Sequence, residues 1–387
     1  MKDANSIFAA CGTTIFEVMS RLAVEHGAIN LGQGFPEGLE PPALLAEAAR
    51  AVAAGPHQYP PMMGIEALRR AVAAHALRFY DLEVDPMTEV MVTSGATEAL
   101  ADCLFGLIEP GDEVVLIEPL YDSYLPIVRR AGGTARLVRL EPPHWTLPRD
   151  QLRAAFSRRT KLMILNSPMN PTGKVFTSEE LDFIAGLLIE HDAYCVCDEV
   201  YEHLTYDGIG HLPLITRPGM RERCLRIGSA GKTFSLTGWK VGYVTACPAL
   251  LTPVARAHQF LTFTTPPHLQ QAVAFGLASE DEYYRSLSVD LAGRRDRLAE
   301  GLTAIGFEML PAGGSYFLVA DFRRLDTAAD DLEFCRRLTI EAGVTAVPVS
   351  IFYQAGAIRH YVRFCFAKRR DALDEALNRL TRFFGHL

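Results

Sequence analysis

Short, almost unbroken apolar segments recur between residues 89 and 246, and stretches with helical spacing separate most of them. The segments are 89–95 (EVMVTSG), 114–119 (VVLIEP), 134–140 (TARLVRL), 161–168 (KLMILNSP), 194–200 (YCVCDEV), 224–229 (CLRIGS) and 240–246 (KVGYVTA). Strands that are buried on both faces of a parallel sheet have this nearly continuous apolar character, and helices connect them. The pattern therefore predicts an α/β fold with a mainly parallel central sheet and helices on both faces.

The sequence changes character after about residue 280. A long charged helix is predicted over 283–302, and strand candidates and two further helices follow it. This part of the chain is typical of a smaller α+β unit. We predict three regions, namely an N-terminal segment that packs with the small domain (1–40), a large α/β domain (41–280) and a small C-terminal domain (281–387).

Charge and composition argue against several classes of protein. The 387 residues carry a formal net charge of −8 and no long basic run, so binding to nucleic acid or to an anionic membrane is not expected. The sequence contains no apolar stretch of the ~18 residues that a membrane-spanning helix needs, and we expect no signal peptide. The eight cysteines are scattered, and the pair Cys195 and Cys197 favours buried reduced thiols over a metal site. The expectation is a cytoplasmic protein without a metal ion.

Polar clusters follow four of the predicted strands. They are Ser94–Thr97, Asn166–Gly173, Asp198–Glu199 and Ser229–Lys232. In an open α/β sheet, ligands bind in the crevice outside the carboxyl ends of the strands. Taken singly, each cluster is also compatible with a turn or a helix cap, but all four could converge on one crevice.

The segment GSAGKT, which ends at Thr233, raises two alternatives for Lys232. A phosphate-binding P-loop needs a glycine four residues before Ala230, and Arg226 stands there. The acidic strand segment YCVCDE also precedes the lysine, whereas in a nucleotidase it usually follows. An NTPase is therefore the weaker alternative.

The second alternative is a lysine that forms a Schiff base with a carbonyl group. The small neighbours of Lys232 leave room for a planar ring, and Ser229 and Lys240 could bind a phosphate on the same ligand. Asp198 could then keep a pyridine nitrogen protonated, so that the ring accepts electrons. One cofactor, pyridoxal 5′-phosphate (PLP), accounts for the two lysines, the carboxylate and the glycine-rich anion site together.

The chain resembles the class I aminotransferases of fold type I, which depend on PLP. The motifs NSPMNPTG (166–173), CDEVYEHL (197–204) and GSAGKTFSLTGWKVGY (228–243) occur in the order and spacing of that family. The resemblance extends from NLGQGFP (30–36) to RFCFAKRR (363–370). Within the family, the sequence is most similar to the branch of kynurenine/glutamine transaminases and methionine aminotransferases. It is also similar to succinyldiaminopimelate aminotransferases around HQYPP and EPLYDSY.

The resemblance implies roles for residues around the cofactor in the large domain. Lys232 would carry PLP as an aldimine and shuttle the substrate's α-proton, and Asp198 would pair with the ring nitrogen. Tyr201 and Asn170 would hold the ring oxygen, and Tyr121 would stack on the ring. The residues expected at the phosphate are Gly95, Ala96, Thr97, Ser229, Lys240 and, from a neighbouring subunit, Tyr59. A homodimer is therefore part of the prediction.

The resemblance also implies how the amino-acid substrate binds. Arg363 would clamp the α-carboxylate, because a guanidinium group grips a carboxylate through two parallel hydrogen bonds. Asn170 and the backbone at Gly34 would assist it. Phe16, and Phe263 from the partner chain, would wall the side-chain pocket. We therefore predict transfer of an amino group from methionine, glutamine or an aromatic or kynurenine-like amino acid to a 2-oxo acid. The alternatives are a succinyldiaminopimelate aminotransferase and a cysteine-conjugate β-lyase.

Overall fold

The computed structural model describes residues 2–356 and 358–385. Its strands are β1 (Ile29–Asn30), β2 (Val90–Thr93), β3 (Glu113–Glu118), β4 (Thr134–Arg139), β5 (Thr160–Asn166), β6 (Tyr194–Asp198), β7 (Cys224–Ser229), β8 (Gly242–Thr245), β9 (Glu308–Met309), β10 (Phe317–Asp321), β11 (Val344–Thr345), β12 (Val347–Pro348) and β13 (Tyr361–Cys365). All seven apolar segments between residues 89 and 246 contain a strand.

The α-helices cover both the large sheet and the C-terminal part of the chain. They are α1 (Ser6–Ala9), α2 (Ile15–Glu25), α3 (Pro42–Ala54), α4 (Glu66–Tyr80), α5 (Gly95–Leu107), α6 (Tyr124–Arg130), α7 (Arg149–Ala155), α8 (Ser178–Glu190), α9 (Ala230–Thr233), α10 (Pro248–Leu261), α11 (Pro267–Leu277), α12 (Asp281–Ile305), α13 (Asp331–Arg337) and α14 (Arg370–Phe384). Short 3₁₀ turns span Leu214–Thr216, Thr237–Trp239 and Val349–Phe352, and a π-helical turn spans Leu338–Ala342.

Seven strands form the central sheet in the order β2-β8-β7-β6-β5-β3-β4. Strands β3 to β7 pair in parallel, and β8 runs antiparallel to both β2 and β7. The interior strands are buried along their length, because helices cover both faces of the sheet. The predicted α/β fold with a mainly parallel sheet is confirmed.

A second sheet of four strands has the order β12-β13-β10-β9, and every pair in it is antiparallel. Strand β13 lies in its interior, and all of its residues are buried. The long helix α12 ends at Gly306, which has a φ of 121° and stops the helix.

The N-terminal part of the chain returns to the C-terminal part. Strand β1 pairs in parallel with β11, so that Ile29 is opposite Val344 and Asn30 is opposite Thr345. Helix α2 begins at a Thr14 N-cap, whose hydroxyl group accepts a hydrogen bond from the backbone N–H of Glu17. Among the residues that the structure describes, no helix has both the length and the apolar character needed to cross a bilayer.

Candidate active site

A cavity of about 470 Å³ opens at the carboxyl ends of the parallel strands. Its lining includes thirteen of the fifteen residues singled out from the sequence, which are Phe16, Gly34, Gly95, Ala96, Thr97, Tyr121, Asn170, Asp198, Tyr201, Ser229, Lys232, Lys240 and Arg363. Four polar segments that are far apart in the sequence thus converge on one crevice, as the position of strand ends in an α/β sheet requires.

Tyr59 and Phe263 lie outside this cavity and pack against each other. Their ring centroids are 5.8 Å apart in an edge-on arrangement. The exposed fraction is 85% for Tyr59 and 40% for Phe263. Neither residue is placed beside the cavity of its own chain, so a role for either at an active site requires a second chain.

Lys232 lies on α9, the short helix that follows β7. Its Nζ is 2.9 Å from the hydroxyl group of Tyr316 and 3.4 Å from the backbone oxygen of Gly34. Gly231 beside it allows a close approach of the backbone, because a Cβ there would lie 3.0 Å from the Cα of Thr237. Burial lowers the pKa of Lys232 to about 8. The amine is therefore partly neutral near neutral pH, as a nucleophilic lysine must be.

Asp198 ends β6, and its carboxyl group faces the same cavity. Burial raises the pKa of Asp198, and hydrogen bonds from the Tyr124 hydroxyl group and the Val200 N–H oppose this effect. The Tyr124 hydroxyl group lies 2.5 Å from Oδ2 of Asp198. Sequence reasoning did not single out Tyr124, although it lies in the EPLYDSY segment used for the resemblance. A buried carboxylate with one strong donor fits a site that meets a cation.

The loop after β5 is connected to β6 through Asn166. Its Nδ2 donates a 2.9 Å hydrogen bond to the backbone oxygen of Asp198, and its Oδ1 accepts a 2.8 Å bond from the N–H of Asn170. Asn166 was part of the predicted cluster but had no role of its own. It holds Asn170 and Asp198 in a fixed relation, and both side chains line the cavity.

The N-terminus of α5 forms the opposite wall. Gly95 has a φ of 79°, and a Cβ there would lie 3.3 Å from Nζ of Lys240. Gly242 allows β8 to pass close to the helix start, because its Cβ would lie 2.7 Å from the carbonyl carbon of Gly95. The first N–H groups of a helix have no intrahelical acceptor and attract anions. Together with the ammonium group of Lys240 and the hydroxyl groups of Thr97 and Ser229, they form a cup suited to a phosphate.

Arg363 lies on β13 at the other end of the cavity. Its Nη1 donates to Oδ1 of Asn170 at 2.8 Å, and its Nη2 donates to the backbone oxygen of Gly32 at 2.7 Å. The guanidinium carbon lies 3.9 Å from the ring centroid of Phe317 and 5.1 Å from that of Phe16. Burial lowers the pKa of Arg363 to about 10. Its Nε is buried and has no hydrogen-bond partner among the described residues, and Arg363 lines the cavity.

Arg226, the residue that departs from the P-loop pattern, is buried on β7. Its Nε donates to Oε2 of Glu199 at 2.6 Å, and its Nη2 contacts Glu202. The Tyr80 hydroxyl group donates to the same Glu202 carboxylate at 2.5 Å. Glu199 immediately follows Asp198 in the chain, and Glu202 immediately follows Tyr201. An arginine inside an apolar strand segment was the available sequence signal for this buried ion-pair network.

These groups fit a phosphorylated pyridine aldehyde. The helix terminus and Lys240 would hold its phosphate and Asp198 would face its ring nitrogen, and Tyr121 and Asn170 line the same cavity. Lys232 supplies an amine whose pKa is depressed, as covalent attachment requires. The guanidinium group of Arg363, which lines the cavity, suits the carboxylate of a second molecule.

The family model for aminotransferase class I and II matches residues 26–380. The chain belongs to this family. The methionine aminotransferase of Escherichia coli is 40% identical to it over 369 residues, covering 95% of each chain. The probable N-succinyldiaminopimelate aminotransferase of Mycobacterium tuberculosis is 47% identical over 380 residues, covering 95% of this chain and 96% of the relative. The human kynurenine–oxoglutarate transaminase 1 is 37% identical.

Solved structures agree with this assignment. The N-succinyldiaminopimelate aminotransferase from Mycobacterium tuberculosis superposes on this aminotransferase with a TM-score of 0.96, 46% identity, and coverage of 98% of this chain and 100% of the other. An aspartate aminotransferase variant from Thermus thermophilus has a TM-score of 0.90 with 32% identity and covers 99% of this chain and 100% of its own. The protein is thus a fold type I, PLP-dependent aminotransferase that acts on amino acids and 2-oxo acids.

Proposed function

We propose that this aminotransferase accepts L-amino acids with bulky uncharged side chains, such as methionine, glutamine and aromatic or kynurenine-like amino acids. The observation that carries the proposal is the distribution of charge in the cavity. Among the described lining residues, the cations are Lys232, Lys240 and Arg363, and each has a place in cofactor or α-carboxylate binding. None of the described lining residues then leaves a cation for a distal carboxylate, whereas Phe16 and Phe317 offer aromatic surface near Arg363.

Different residues of the chain would have different roles in the reaction. When bound, PLP withdraws electrons from the α-carbon of the attached amino acid. Lys232 would hold the cofactor covalently until the amino group of the substrate replaces it, and the freed Nζ would then take the proton from the α-carbon and later return it. Asp198 would keep the ring nitrogen protonated, and Tyr201 and Asn170 would bind the ring oxygen. Arg363, assisted by Asn170 and the backbone of Gly34, would orient the α-carboxylate. Proton transfer of this kind contributes about 10²–10⁴-fold to a rate.

We also propose that the active enzyme is a homodimer in which Tyr59 reaches the partner's phosphate site and Phe263 reaches its substrate pocket. The exposure of both residues, outside the cavity of their own chain, supports this. Phe260, which is 82% exposed on the neighbouring helix α10, extends the apolar surface that a second chain would cover. A sedimentation mass twice the 42.7 kDa of one chain is the expected result.

Two further expectations belong to this proposal. The pairing of β1 with β11 supports an N-terminal segment (1–40) that packs with a small domain (281–387), while the large domain (41–280) binds the cofactor. The eight free cysteines, seven of them buried, support a cytoplasmic location.

The central test is the variant Lys232→Ala. Its turnover and the visible absorbance of PLP bonded covalently to the protein should both disappear, because the amine that forms the bond and accepts the proton is lost. Lys161→Ala is the matched control, since Lys161 lies at the start of β5, at the end of the sheet away from the cavity. A Lys232→Ala protein with normal absorbance and activity contradicts the proposal.

A donor screen tests substrate choice. Methionine, glutamine, kynurenine and phenylalanine should give kcat/KM values at least tenfold above those of aspartate and N-succinyldiaminopimelate. The 47% identity with the probable N-succinyldiaminopimelate aminotransferase favours the second candidate function, and a clear preference for that donor would establish it. Pyruvate release from a cysteine conjugate without any 2-oxo acid would reveal β-lyase activity at the same site.

A further inference from the structure

Tyr316 contacts the reactive lysine, although no role was predicted for it from the sequence. Its side chain is completely buried, and its hydroxyl group lies 2.9 Å from Nζ of Lys232. The same hydroxyl group donates a 2.7 Å hydrogen bond to the backbone oxygen of Gly34. Lys232 itself is 3.4 Å from that oxygen. The phenol therefore bridges the lysine and the N-terminal segment that lines the substrate end of the cavity.

The backbone before Tyr316 is clamped between two loops of the active site. The N–H of Gly314 donates to the backbone oxygen of Gly173 at 2.8 Å, and the N–H of Ser315 donates to that of Leu204 at 2.8 Å. A Cβ at Gly314 would lie 2.6 Å from the Cβ of Pro168, so there is no room for a side chain between this turn and Pro168. A hydroxyl group mounted on such a turn is preorganised, since other contacts fix its position before any ligand binds.

The chemistry of the phenol suits a lysine that changes protonation state. Burial raises the pKa of Tyr316 well above its usual value, so the hydroxyl group keeps its proton across the working pH range. When Lys232 is an ammonium, the phenol oxygen accepts from it and the phenol proton goes to Gly34. When Lys232 is a neutral amine, the same proton can rotate toward the lone pair on Nζ.

We infer that Tyr316 is a positioning residue that docks the ε-amine of Lys232 whenever this amine is not bonded to the cofactor, and that it stabilises the protonated form of the amine more than the neutral form. The inference rests on the proposed role of Lys232. It assigns to Tyr316 the function of holding the amine within reach while the amine accepts and returns the substrate's α-proton, with the phenol proton retained throughout.

The test compares Tyr316→Phe with the wild type and with Tyr284→Phe. Tyr284 is a matched control, because it is also buried and its hydroxyl group donates to a backbone oxygen, that of Leu277, at 3.3 Å. The first readout uses the full-length chain without cofactor. The rate of acylation of Lys232 by acetic anhydride is followed against pH by peptide mass spectrometry, which yields the apparent pKa of this one amine.

In Tyr316→Phe the ammonium group loses its nearer acceptor, so the apparent pKa of Lys232 should fall by about 1 relative to the wild type. The second readout uses the cofactor-loaded enzyme, in which kcat should fall at least tenfold while KM for the amino donor changes less than threefold. Tyr284→Phe should leave both quantities unchanged. An unchanged acylation profile, or an unchanged kcat, overturns the inference.

The two hypotheses fail differently. If Lys232→Ala keeps its cofactor absorbance and its activity, the proposed function fails. If Lys232→Ala loses both while Tyr316→Phe behaves as the wild type, only the inference about Tyr316 fails. Near-ultraviolet circular dichroism of each variant establishes that the fold is intact, and phenylalanine keeps the ring that packs beside Tyr201, whose centroid is 5.1 Å away.

Discussion

The hydroxyl group of Tyr124 lies 2.5 Å from Oδ2 of Asp198, and this bond lowers the pKa of a carboxyl group that burial would otherwise raise further. Tyr124 stands at the start of α6 and Asp198 at the end of β6, 74 residues apart in the chain. The ring of Tyr121, which lines the cavity, packs against Tyr124 with a centroid distance of 5.8 Å. One segment therefore supplies both a cavity wall and a hydrogen bond that favours the ionised form of Asp198.

Tyr124→Phe should lower kcat about tenfold, because a hydrogen bond to a charged group is worth roughly 1.5 kcal/mol or more and Asp198 would hold the ring proton less well. Stopped-flow kinetics with methionine provides the measurement. Tyr353→Phe is the control, since the Tyr353 hydroxyl group is 3.5 Å from a backbone oxygen remote from the cavity. Equal rates for both variants would show that Asp198 does not depend on this bond.

Arg363→Lys should raise KM for amino donors roughly tenfold to a hundredfold, since an ammonium group cannot reproduce two parallel hydrogen bonds to a carboxylate. The change in kcat should be smaller. Steady-state kinetics over a series of donors checks both quantities. Arg323→Lys alters the ion pair between the exposed Arg323 and the buried Asp321, neither of which lines the cavity, and should have no effect. Equal increases in KM for the two variants would argue against a carboxylate clamp at Arg363.

Gly34→Ala should lower the melting temperature and raise KM together. The new Cβ would lie 2.7 Å from Cζ of Phe317, whose ring supports the guanidinium group of Arg363. Overpacking of this kind costs about 1–3 kcal/mol. Gly210→Ala is a suitable control, because a Cβ there meets no atom of the described residues within 4 Å. A Gly34→Ala enzyme with wild-type KM would mean that Phe317 can move without disturbing Arg363.

Tyr59→Phe should weaken cofactor binding about tenfold without changing the melting temperature of the cofactor-free protein, since one hydrogen bond to a phosphate is lost at an exposed position. Titration of the cofactor-free enzyme with PLP, followed by absorbance, measures the affinity. Tyr194→Phe changes a tyrosine at the opposite end of β6 from Asp198 and serves as the control. Unaltered affinity in Tyr59→Phe would remove this residue from the phosphate site.

His258 should make stability fall with rising pH. Burial lowers the pKa of His258, but the carboxyl groups of Asp102 and Glu98 outweigh this effect and raise it from 6.5 to about 10. Because the folded state holds the proton more tightly, this contribution is fully present below pH 6.5 and is lost as the pH rises toward 10.

The variant His258→Gln should therefore show a flatter decline of the melting temperature between pH 6.5 and pH 10 than the wild type. Differential scanning calorimetry at several pH values measures the difference. His144→Gln is a control for the general effect of removing an imidazole. Parallel curves for His258→Gln and the wild type would contradict the charged pair with Glu98, in which Nδ1 and Oε1 are 2.7 Å apart.

The sequence predicted the strands well, because strands buried on both faces are marked by composition alone. It could not predict that β8 runs antiparallel to both its neighbours, since an apolar run carries no direction. The cavity was foreseen from the rule that ligands meet strand ends. The roles of its residues, carried over from the family resemblance, stay predictions that the variants above test.

Other site residues escaped prediction for a physical reason. Tyr316 and Lys232 are 84 residues apart, and their contact depends on how β10 is placed against the large sheet. In the sequence, Arg226 was noted only because it departs from the P-loop pattern. In the folded chain it pairs with Glu199 and Glu202. Such pairs cannot be predicted from the sequence, because hydrogen bonds between distant segments produce no periodic pattern in it. They are identified only once the tertiary structure is known.

The ion pairs of Arg226 have a consequence for redesign of the enzyme. These ion pairs connect strand β7 to the segment that carries Asp198 and Tyr201. Phe16 belongs to helix α2, which is a separate part of the chain. Mutagenesis aimed at new amino donors can therefore randomise the helix while the β7 arginine and its acidic neighbours are left untouched, and cofactor loading should survive in most members of such a library.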